Sequence, residues 1–249
     1  PNEGTSLQKI KYQEKRSKNE PTKGTSLQIK KFIGDIFLMK RILVMGASKG
    51  IGLESVQKAI DSRHLVRAFA RSAYDIDINH PELEKFRGNA LDHDDVRAAL
   101  KDVDVVVQTL GVGLKELFAP VSLFSEATKL LLPAMKSSGV KRLICITGFG
   151  AGDSSQSISA FQRLPFDAVF GRAYADKTIQ EQLIKSSDLD WTIVRPGVLT
   201  GKFCAGNYQA FDQPKDWRNG IIARSDVADF CIKQMTNTAS FHKAYVLVK

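Results

Sequence analysis

The chain has 249 residues, of which 43% are hydrophobic and 25% are charged, with 18 Gly, 8 Pro and 3 Cys. These values lie near the averages for globular domains, so they exclude disorder of the whole chain and a disulfide-stapled scaffold. No apolar run approaches the roughly 18 residues that cross a bilayer, which excludes a membrane span from the sequence. The length fits one large domain or two small ones.

The formal net charge is +9, and residues 1–38 carry +4 of it through eight Lys and Arg against four Asp and Glu. Positive charge spread in this way suits an enzyme with an anionic ligand at least as well as a nucleic-acid binder. We therefore expect a small-molecule substrate, with neither nucleic acid nor a membrane as partner. The sequence leaves the oligomeric state open between monomer and dimer.

Three cysteines, Cys145, Cys204 and Cys231, are an odd number without CxxC spacing. Two of them lie in apolar runs, where a free thiol behaves as a small hydrophobe. We expect a reducing compartment, a cytoplasmic location and no metal site.

Residues 1–38 are dominated by polar side chains with no helical or strand periodicity, so we predict a leader or disordered tail there. An upstream extension or an added segment are alternatives. An organellar presequence is a further alternative, which the acidic residues Glu3, Glu14 and Glu20 disfavour. Met39 precedes the first apolar strand and is the expected start of a folded domain over 39–249.

From Arg41 onward, apolar runs alternate with amphipathic segments. The predicted elements, in chain order, are strand Ile42–Met45, helix Ile51–Asp61, strand Leu65–Ala70, strand Glu84–Arg87, helix Asp94–Lys101, strand Val103–Thr109, helix Ser122–Ser138, strand Leu143–Thr147, helix Ala173–Ser187 and strand Trp191–Val194. Near-continuous apolar strands joined by helices indicate a parallel sheet that is buried on both faces. The predicted class is α/β, a single Rossmann-type doubly wound domain whose ligands bind beyond the carboxyl ends of the strands.

A glycine-rich turn, Gly46-Ala47-Ser48-Lys49-Gly50-Ile51-Gly52, joins the first strand to the first helix. Glycines in this context allow a tight turn and let backbone N–H groups approach a pyrophosphate at the helix N-terminus. The alternative is a tight βα turn without a ligand; a P-loop is excluded because no GK[ST] follows. We predict dinucleotide binding by Gly46, Ser48, Lys49, Gly50, Ile51 and Gly52.

The end of the second strand indicates which dinucleotide is bound. An NAD site usually offers Asp or Glu to the ribose about 20 residues after the turn. Arg71 stands there, nineteen residues after Gly52, with no acidic residue between Leu65 and Ala73. Because an arginine can pair with a 2′-phosphate, NADP(H) is favoured over NAD(H).

Further motifs lie in the same order as in a known family: Asn89-Ala90-Leu91-Asp92, Gly111-Val112-Gly113, Thr192-Ile193-Val194-Arg195-Pro196-Gly197 and Ile222–Ala228. With the glycine turn, they resemble the atypical short-chain dehydrogenase/reductases, in the NAD(P)H-binding group of NmrA-like proteins and biliverdin reductase B, over residues 39–249. The resemblance implies additional cofactor contacts from the loops after the third, fourth and sixth strands, namely Asn89, Ala90, Leu91, Thr109, Leu110, Gly111, Pro196, Gly197 and Val198.

Better-known reductases of this superfamily use a Ser after the fifth strand and a Tyr four residues before a Lys. Here Thr147 supplies the hydroxyl, and Tyr174 and Lys177 are three apart, which rotates the tyrosine by about 100° around the helix. These three are the candidate catalytic residues, and Thr147 and Lys177 are also candidate cofactor contacts. The resemblance also implies that hydride transfer to a good acceptor can proceed without a dedicated tyrosine.

The stretch Gly150–Gly171 is predicted to be a long irregular loop. We expect an apolar acceptor pocket from its residues and from a later loop, or else ordinary packing; the residues are Phe161, Leu164, Pro165, Phe166, Val169, Phe170, Phe203, Tyr208 and Phe211. The leading hypothesis is an NADPH-dependent reductase of a small planar acceptor of flavin, quinone or tetrapyrrole type. A non-catalytic NADP(H)-binding regulator of NmrA type is the alternative, and a nucleotide-sugar epimerase is disfavoured by the short C-terminal region.

Overall fold

The computed structural model describes residues 39–158, 160–201 and 206–249. The predicted tail over 1–38 lies outside these residues. The strands are β1 Arg41–Met45, β2 Leu65–Ala70, β3 Leu83–Arg87, β4 Val105–Gln108, β5 Arg142–Ile146, β6 Asp190–Pro196, β7 Val198–Thr200, β8 Gln209–Phe211, β9 Ile221–Ala223 and β10 Lys243–Val248. The helices are α1 Gly50–Asp61, α2 His93–Ala99, α3 Leu123–Ser137, α4 Ala160–Lys185 and α5 Arg224–Gln234.

Eight strands form one sheet in the order β3-β2-β1-β4-β5-β6-β10-β8, and β7 pairs with β9 in a small second sheet. All pairs in the large sheet are parallel except β8, which runs antiparallel to β10. The strand order reverses between β1 and β4, which is where ligands bind in doubly wound folds. The predicted α/β Rossmann class is confirmed.

Alternate residues of each central strand enter two separate cores. On β1, Ile42 and Val44 pack on the face that α1 and α5 cover, whereas Leu43 and Met45 pack on the opposite face with residues of α3 and α4. All four side chains are fully buried. Helices on both faces therefore explain why these strands read as continuous apolar runs.

The prediction of a long loop over Gly150–Gly171 was wrong. A 3₁₀ helix spans Gly152–Ser157, and α4 begins at Ala160 rather than Ala173. Pro165 and Gly171 hid the helix in the sequence, since both residue types weaken helices. Aromatic rings at every fourth position stabilise it instead: the ring centroids of Phe166 and Phe170 lie 5.5 Å apart, and those of Phe170 and Tyr174 lie 6.2 Å apart.

The other predicted elements are present with ends shifted by at most two residues, while α5 and strands β7 to β10 were not predicted. Cys145 and Cys231 are free and buried, as their apolar settings indicated, and Cys204 lies outside the described residues. No helix in the described part of the chain has the length and hydropathy required to span a membrane.

Candidate functional site

The turn after β1 depends on glycine at two positions. Gly46 has φ of +92°, and a Cβ there would stand 3.0 Å from the carbonyl of Thr109. A Cβ on Gly52 would stand 2.1 Å from the Gly46 carbonyl oxygen and 2.6 Å from the Thr109 hydroxyl. These close approaches bring the start of α1 directly against the ends of β1 and β4.

The N-terminus of α1 is open to an anion. Lys49 is its N-cap residue, no side chain in the described residues caps the helix there, and its first turn holds no acidic residue. The first backbone N–H groups of a helix have no partner within the helix and lie at the positive end of its dipole. The turn therefore has the chemistry that binds a phosphate group.

A cleft of about 1100 Å³ runs along the carboxyl edge of the sheet from this turn. It collects most of the side chains and backbone segments that the sequence singled out. The predicted residues lining it are Gly46, Ser48, Lys49, Gly50, Ile51, Arg71, Asn89, Ala90, Leu91, Thr109, Leu110, Gly111, Thr147, Tyr174, Lys177 and Pro196.

Three predicted contacts do not line the cleft. Gly52 lies behind the turn, where it permits close packing. Gly197 donates its backbone N–H to Leu247 on β10, and Val198 begins β7, where its side chain is 58% exposed. Beyond Pro196 it is Leu199, rather than Gly197 or Val198, that lines the cleft. The cofactor contacts expected for Gly197 and Val198 stay predictions.

Arg71 lies at the end of β2 with an exposed side chain on the cleft, and no carboxylate of the described residues pairs with it. The neighbouring loop after β3 is fixed by local hydrogen bonds. The Asn89 side-chain oxygen accepts from the Leu91 N–H at 3.1 Å, and the Asn89 N–H donates to Asp95 at 2.8 Å. This end of the cleft thus offers an unpaired guanidinium group beside a loop that is held by local hydrogen bonds.

Thr147, Tyr174 and Lys177 meet at the other end of the cleft. The Lys177 Nζ donates to the Thr147 carbonyl oxygen at 2.7 Å and lies 4.3 Å from the centroid of the Phe124 ring. Burial lowers the pKa of Lys177 to about 8. The ammonium group is therefore held by a backbone carbonyl and by the face of an aromatic ring.

The same geometry is unsuited to a tyrosine–lysine proton relay. Burial raises the pKa of Tyr174 to about 12, whereas a relay needs a tyrosine whose pKa is lowered by the lysine. The Thr147 hydroxyl is engaged as well, since it donates to Glu181 Oε1 at 2.8 Å. A Cβ on Gly148 would stand 2.5 Å from the Tyr174 hydroxyl, so a larger residue such as serine would not fit there without rearrangement.

An apolar wall lines the cleft beside Lys177. It is formed by Leu117, Phe124, Ala173 and Phe170, which pack in one cluster. Of the aromatic residues expected in an acceptor pocket, only Phe170 lines the cleft among those that the structure describes. It was not predicted from the sequence that segment 116–124 lines the cleft. The long connection between β4 and α3 was the signal that could have indicated it.

The remaining aromatic residues of that expectation lie elsewhere. Phe166 lines a separate cavity of about 150 Å³, and Phe211 stacks under Arg218. The Tyr208 hydroxyl donates to Asp229 at 2.8 Å, away from the cleft. Leu164 and Val169 are exposed. The side chains of Phe161, Pro165 and Phe203 are not among those that the structure describes.

Arg224 was also missed as a cleft residue. It begins α5 directly after β9, which pairs with β7 just beyond Pro196, so it lies at the end of the cleft far from Arg71. No carboxylate in the described part of the chain pairs with its guanidinium group. Among the described residues, no group of three His, Cys, Asp or Glu side chains is arranged to hold a metal ion.

Comparisons with known proteins agree with this geometry. An NAD(P)H-binding family model matches residues 46–238. An uncharacterised oxidoreductase of Schizosaccharomyces pombe is 26% identical over 71% of this chain and 68% of its own length. The uncharacterised sugar epimerase YhfK of Bacillus subtilis is 24% identical over 84% of this chain and 94% of its own.

Among solved structures, the anaerobilin reductase ChuY of Escherichia coli O157:H7 superposes with a TM-score of 0.71. It is 26% identical, and the match covers 84% of this chain and 96% of ChuY. The family match spans the glycine turn, the cleft and α5, and the resemblance to atypical short-chain dehydrogenase/reductases is confirmed. The chain belongs to the NAD(P)H-binding family.

Proposed function

We propose that the protein is an NADPH-dependent oxidoreductase that transfers a hydride to a small planar acceptor of flavin, quinone or tetrapyrrole type. The observation that carries this proposal is the single continuous cleft, which joins a phosphate-binding turn to an apolar wall. Its volume of about 1100 Å³ exceeds the roughly 300–1,000 Å³ of ordinary ligand pockets. A cofactor and a second molecule can therefore share it.

The residues at the glycine end fit NADPH. The open N-terminus of α1 suits the pyrophosphate, because no side chain of the described residues caps it and its first turn holds no acidic residue. Arg71 suits the 2′-phosphate, since no acidic neighbour is present to repel it. Asn89, Ala90 and Leu91 would flank the adenine. We therefore favour NADP(H) over NAD(H).

At the other end, Lys177 would bind the ribose of the nicotinamide half through its ammonium group. The bound dinucleotide supplies the hydride, and the protein's contribution is to orient the two partners and exclude water. The half-buried ring of Phe170 and the apolar cluster around it suit an aromatic or conjugated acceptor. Tyr174 has a raised pKa, the Thr147 hydroxyl is donated to Glu181, and Lys177 is assigned to the ribose, so solvent would provide the proton.

The position of Arg224 indicates which kind of acceptor would bind. An unpaired guanidinium group at this end of the cleft favours acceptors that carry a carboxylate or a phosphate group. Flavin nucleotides and tetrapyrroles have such groups, whereas simple quinones do not. The name of ChuY, an anaerobilin reductase, agrees with the tetrapyrrole option.

One observation favours a second candidate, a non-catalytic NADP(H)-binding regulator. Thr147 donates its hydroxyl to Glu181, and the pKa of Tyr174 is raised, so neither side chain is prepared for catalysis. Such a protein would bind the cofactor and transfer nothing.

Turnover separates the two candidates. The full chain is mixed with NADPH and, in separate assays, with FMN, menadione or biliverdin under anaerobic conditions, and NADPH absorbance is followed. Steady oxidation with at least one acceptor supports the reductase. Tight NADPH binding without oxidation by any of the three supports the regulator, and absence of binding contradicts both.

A further inference from the structure

A fully buried ion pair lies directly behind the cleft. Arg195 on β6 donates from Nε to Glu181 Oε1 at 2.9 Å and from Nη2 to Glu181 Oε2 at 2.5 Å. The side chains are 0% and 1% exposed. Burying two charges costs desolvation energy that their attraction often only offsets, so such a pair is weak support for a purely stabilising role.

The ion pair is connected to the cleft through one residue. Glu181 Oε1 also accepts the Thr147 hydroxyl at 2.8 Å, and the Thr147 carbonyl accepts the Lys177 ammonium group at 2.7 Å. Arg195 thus fixes Glu181, which fixes the side chain of Thr147, whose backbone oxygen holds Lys177. The chain of contacts runs from β6 through α4 to the end of β5.

We propose that Glu181 is a positioning residue for the cofactor site: it orients Thr147 so that the Thr147 carbonyl holds the Lys177 ammonium group in the cleft. This inference rests on the proposed binding of NADPH and assigns a role to a carboxylate that does not line the cleft. Glu181 contacts neither cofactor nor acceptor. It acts on Lys177 through its hydrogen bond to Thr147 and through the charge of its carboxylate.

The charged groups around Lys177 allow the role of Glu181 to be measured through the pKa of Lys177. Lys177 faces the Phe124 ring of α3, Cys145 of β5, and Asp176 and Glu181 of its own helix α4. Burial lowers its pKa to about 8, and the two carboxylates act in the opposite direction. Asp176 is also engaged by the Phe124 N–H at 2.8 Å. Removing the Glu181 charge should therefore lower the pKa of Lys177 further.

The sign of the pH dependence follows. Lys177 is charged below its pKa, so NADPH affinity should fall as the pH rises through about 8 in the wild-type protein. In Glu181→Gln, the fall should occur at a lower pH, by about half a unit or more. Weakened packing alone would lower the melting temperature without moving this midpoint.

The experiment measures the NADPH Kd by fluorescence across this pH range for the full chain and its variants. Asp153→Asn is the matched control, because Asp153 also pairs with Arg195 but makes no described hydrogen bond to Thr147 and is 53% exposed. We expect the midpoint to shift in Glu181→Gln and to stay in Asp153→Asn. Thr147→Val keeps the ion pair and breaks the link, so it should weaken binding several-fold below the midpoint even if Glu181→Gln fails to fold.

A folded Glu181→Gln with an unmoved midpoint, or a Thr147→Val with wild-type affinity, would overturn this inference and leave the proposed function standing. Failure of the wild-type protein to bind NADPH at any pH would overturn the proposed function, and this inference with it.

Discussion

The two ends of the cleft are built in different ways. At the glycine end, backbone groups define the surface: the turn at Gly46, the open N-terminus of α1 and the loop at Asn89 are fixed by hydrogen bonds within short segments or to adjacent strands. At the Lys177 end, side chains from distant parts of the chain define it. Glu181 there joins Thr147, 34 residues away, to Arg195.

This difference separates two kinds of requirement. The backbone end needs absence of side-chain bulk, because a phosphate must approach N–H groups closely. The side-chain end needs a particular set of partners, because each buried polar group must be satisfied by another. Substitutions at the glycine end should therefore act by steric clash. Substitutions at the Lys177 end should act by changing charge and hydrogen bonding.

The largest effect is expected at Gly52, the tightest point of the backbone end. Gly52→Val would place a Cβ 2.1 Å from the Gly46 carbonyl oxygen, which the backbone cannot accommodate without moving α1. We expect a loss of about 3 kcal/mol or more in the free energy of unfolding, measured by denaturant titration.

Gly171→Ala is the control for that substitution. Its Cβ would meet only ordinary contact at 3.7 Å within α4, so it should stabilise the protein by about 0.5–1 kcal/mol. If Gly52→Val were as stable as the wild type, the close packing of α1 on the Gly46 carbonyl would be contradicted.

A smaller effect is expected from Arg224→Ala at the side-chain end. If Arg224 binds the anionic group of the acceptor, kcat/KM for FMN should fall about three- to tenfold while that for riboflavin, which lacks the phosphate, stays unchanged. Arg218→Ala serves as control, since Arg218 stacks on Phe211 away from the cleft. An equal loss for both flavins would show that Arg224 does not select charge.

The smallest effect is expected from Tyr174→Phe. A tyrosine whose pKa is raised to about 12 is a poor proton donor at neutral pH, so kcat should change by less than about threefold. A catalytic tyrosine would instead contribute a factor of about 10² or more. A loss of that size in kcat, with unchanged NADPH affinity, would support the tyrosine–lysine proton relay and contradict this account.

The sequence was sufficient to predict the fold and the backbone end of the cleft. Apolar strands and the glycine turn are local signals, and the geometry at Gly46 and Gly52 follows from the absence of a side chain. Sixteen residues that were predicted to lie at the site do line the cleft. Their roles in binding remain predictions.

The side-chain end could not be predicted in the same way. Nothing in the sequence around Asp176 indicates that its carboxylate accepts the Phe124 N–H, 52 residues away, at the start of α3. Glu181 has a helical spacing to Lys177 and Lys185 that suggests a surface pair, yet it is buried against Arg195. The start of α4 was missed because Pro165 and Gly171 obscure the spacing of its aromatic residues.

The measurement that tests the account most directly is a comparison of NADPH and NADH binding to the full chain by fluorescence titration, repeated on Arg71→Ala. Arg87→Ala is the control, since Arg87 is exposed at the end of β3 and does not line the cleft. We predict a preference of about tenfold or more for NADPH that collapses in Arg71→Ala and persists in Arg87→Ala. Equal affinity for the two dinucleotides in the wild-type protein would contradict the role of Arg71, and binding of neither would contradict the proposed cofactor site.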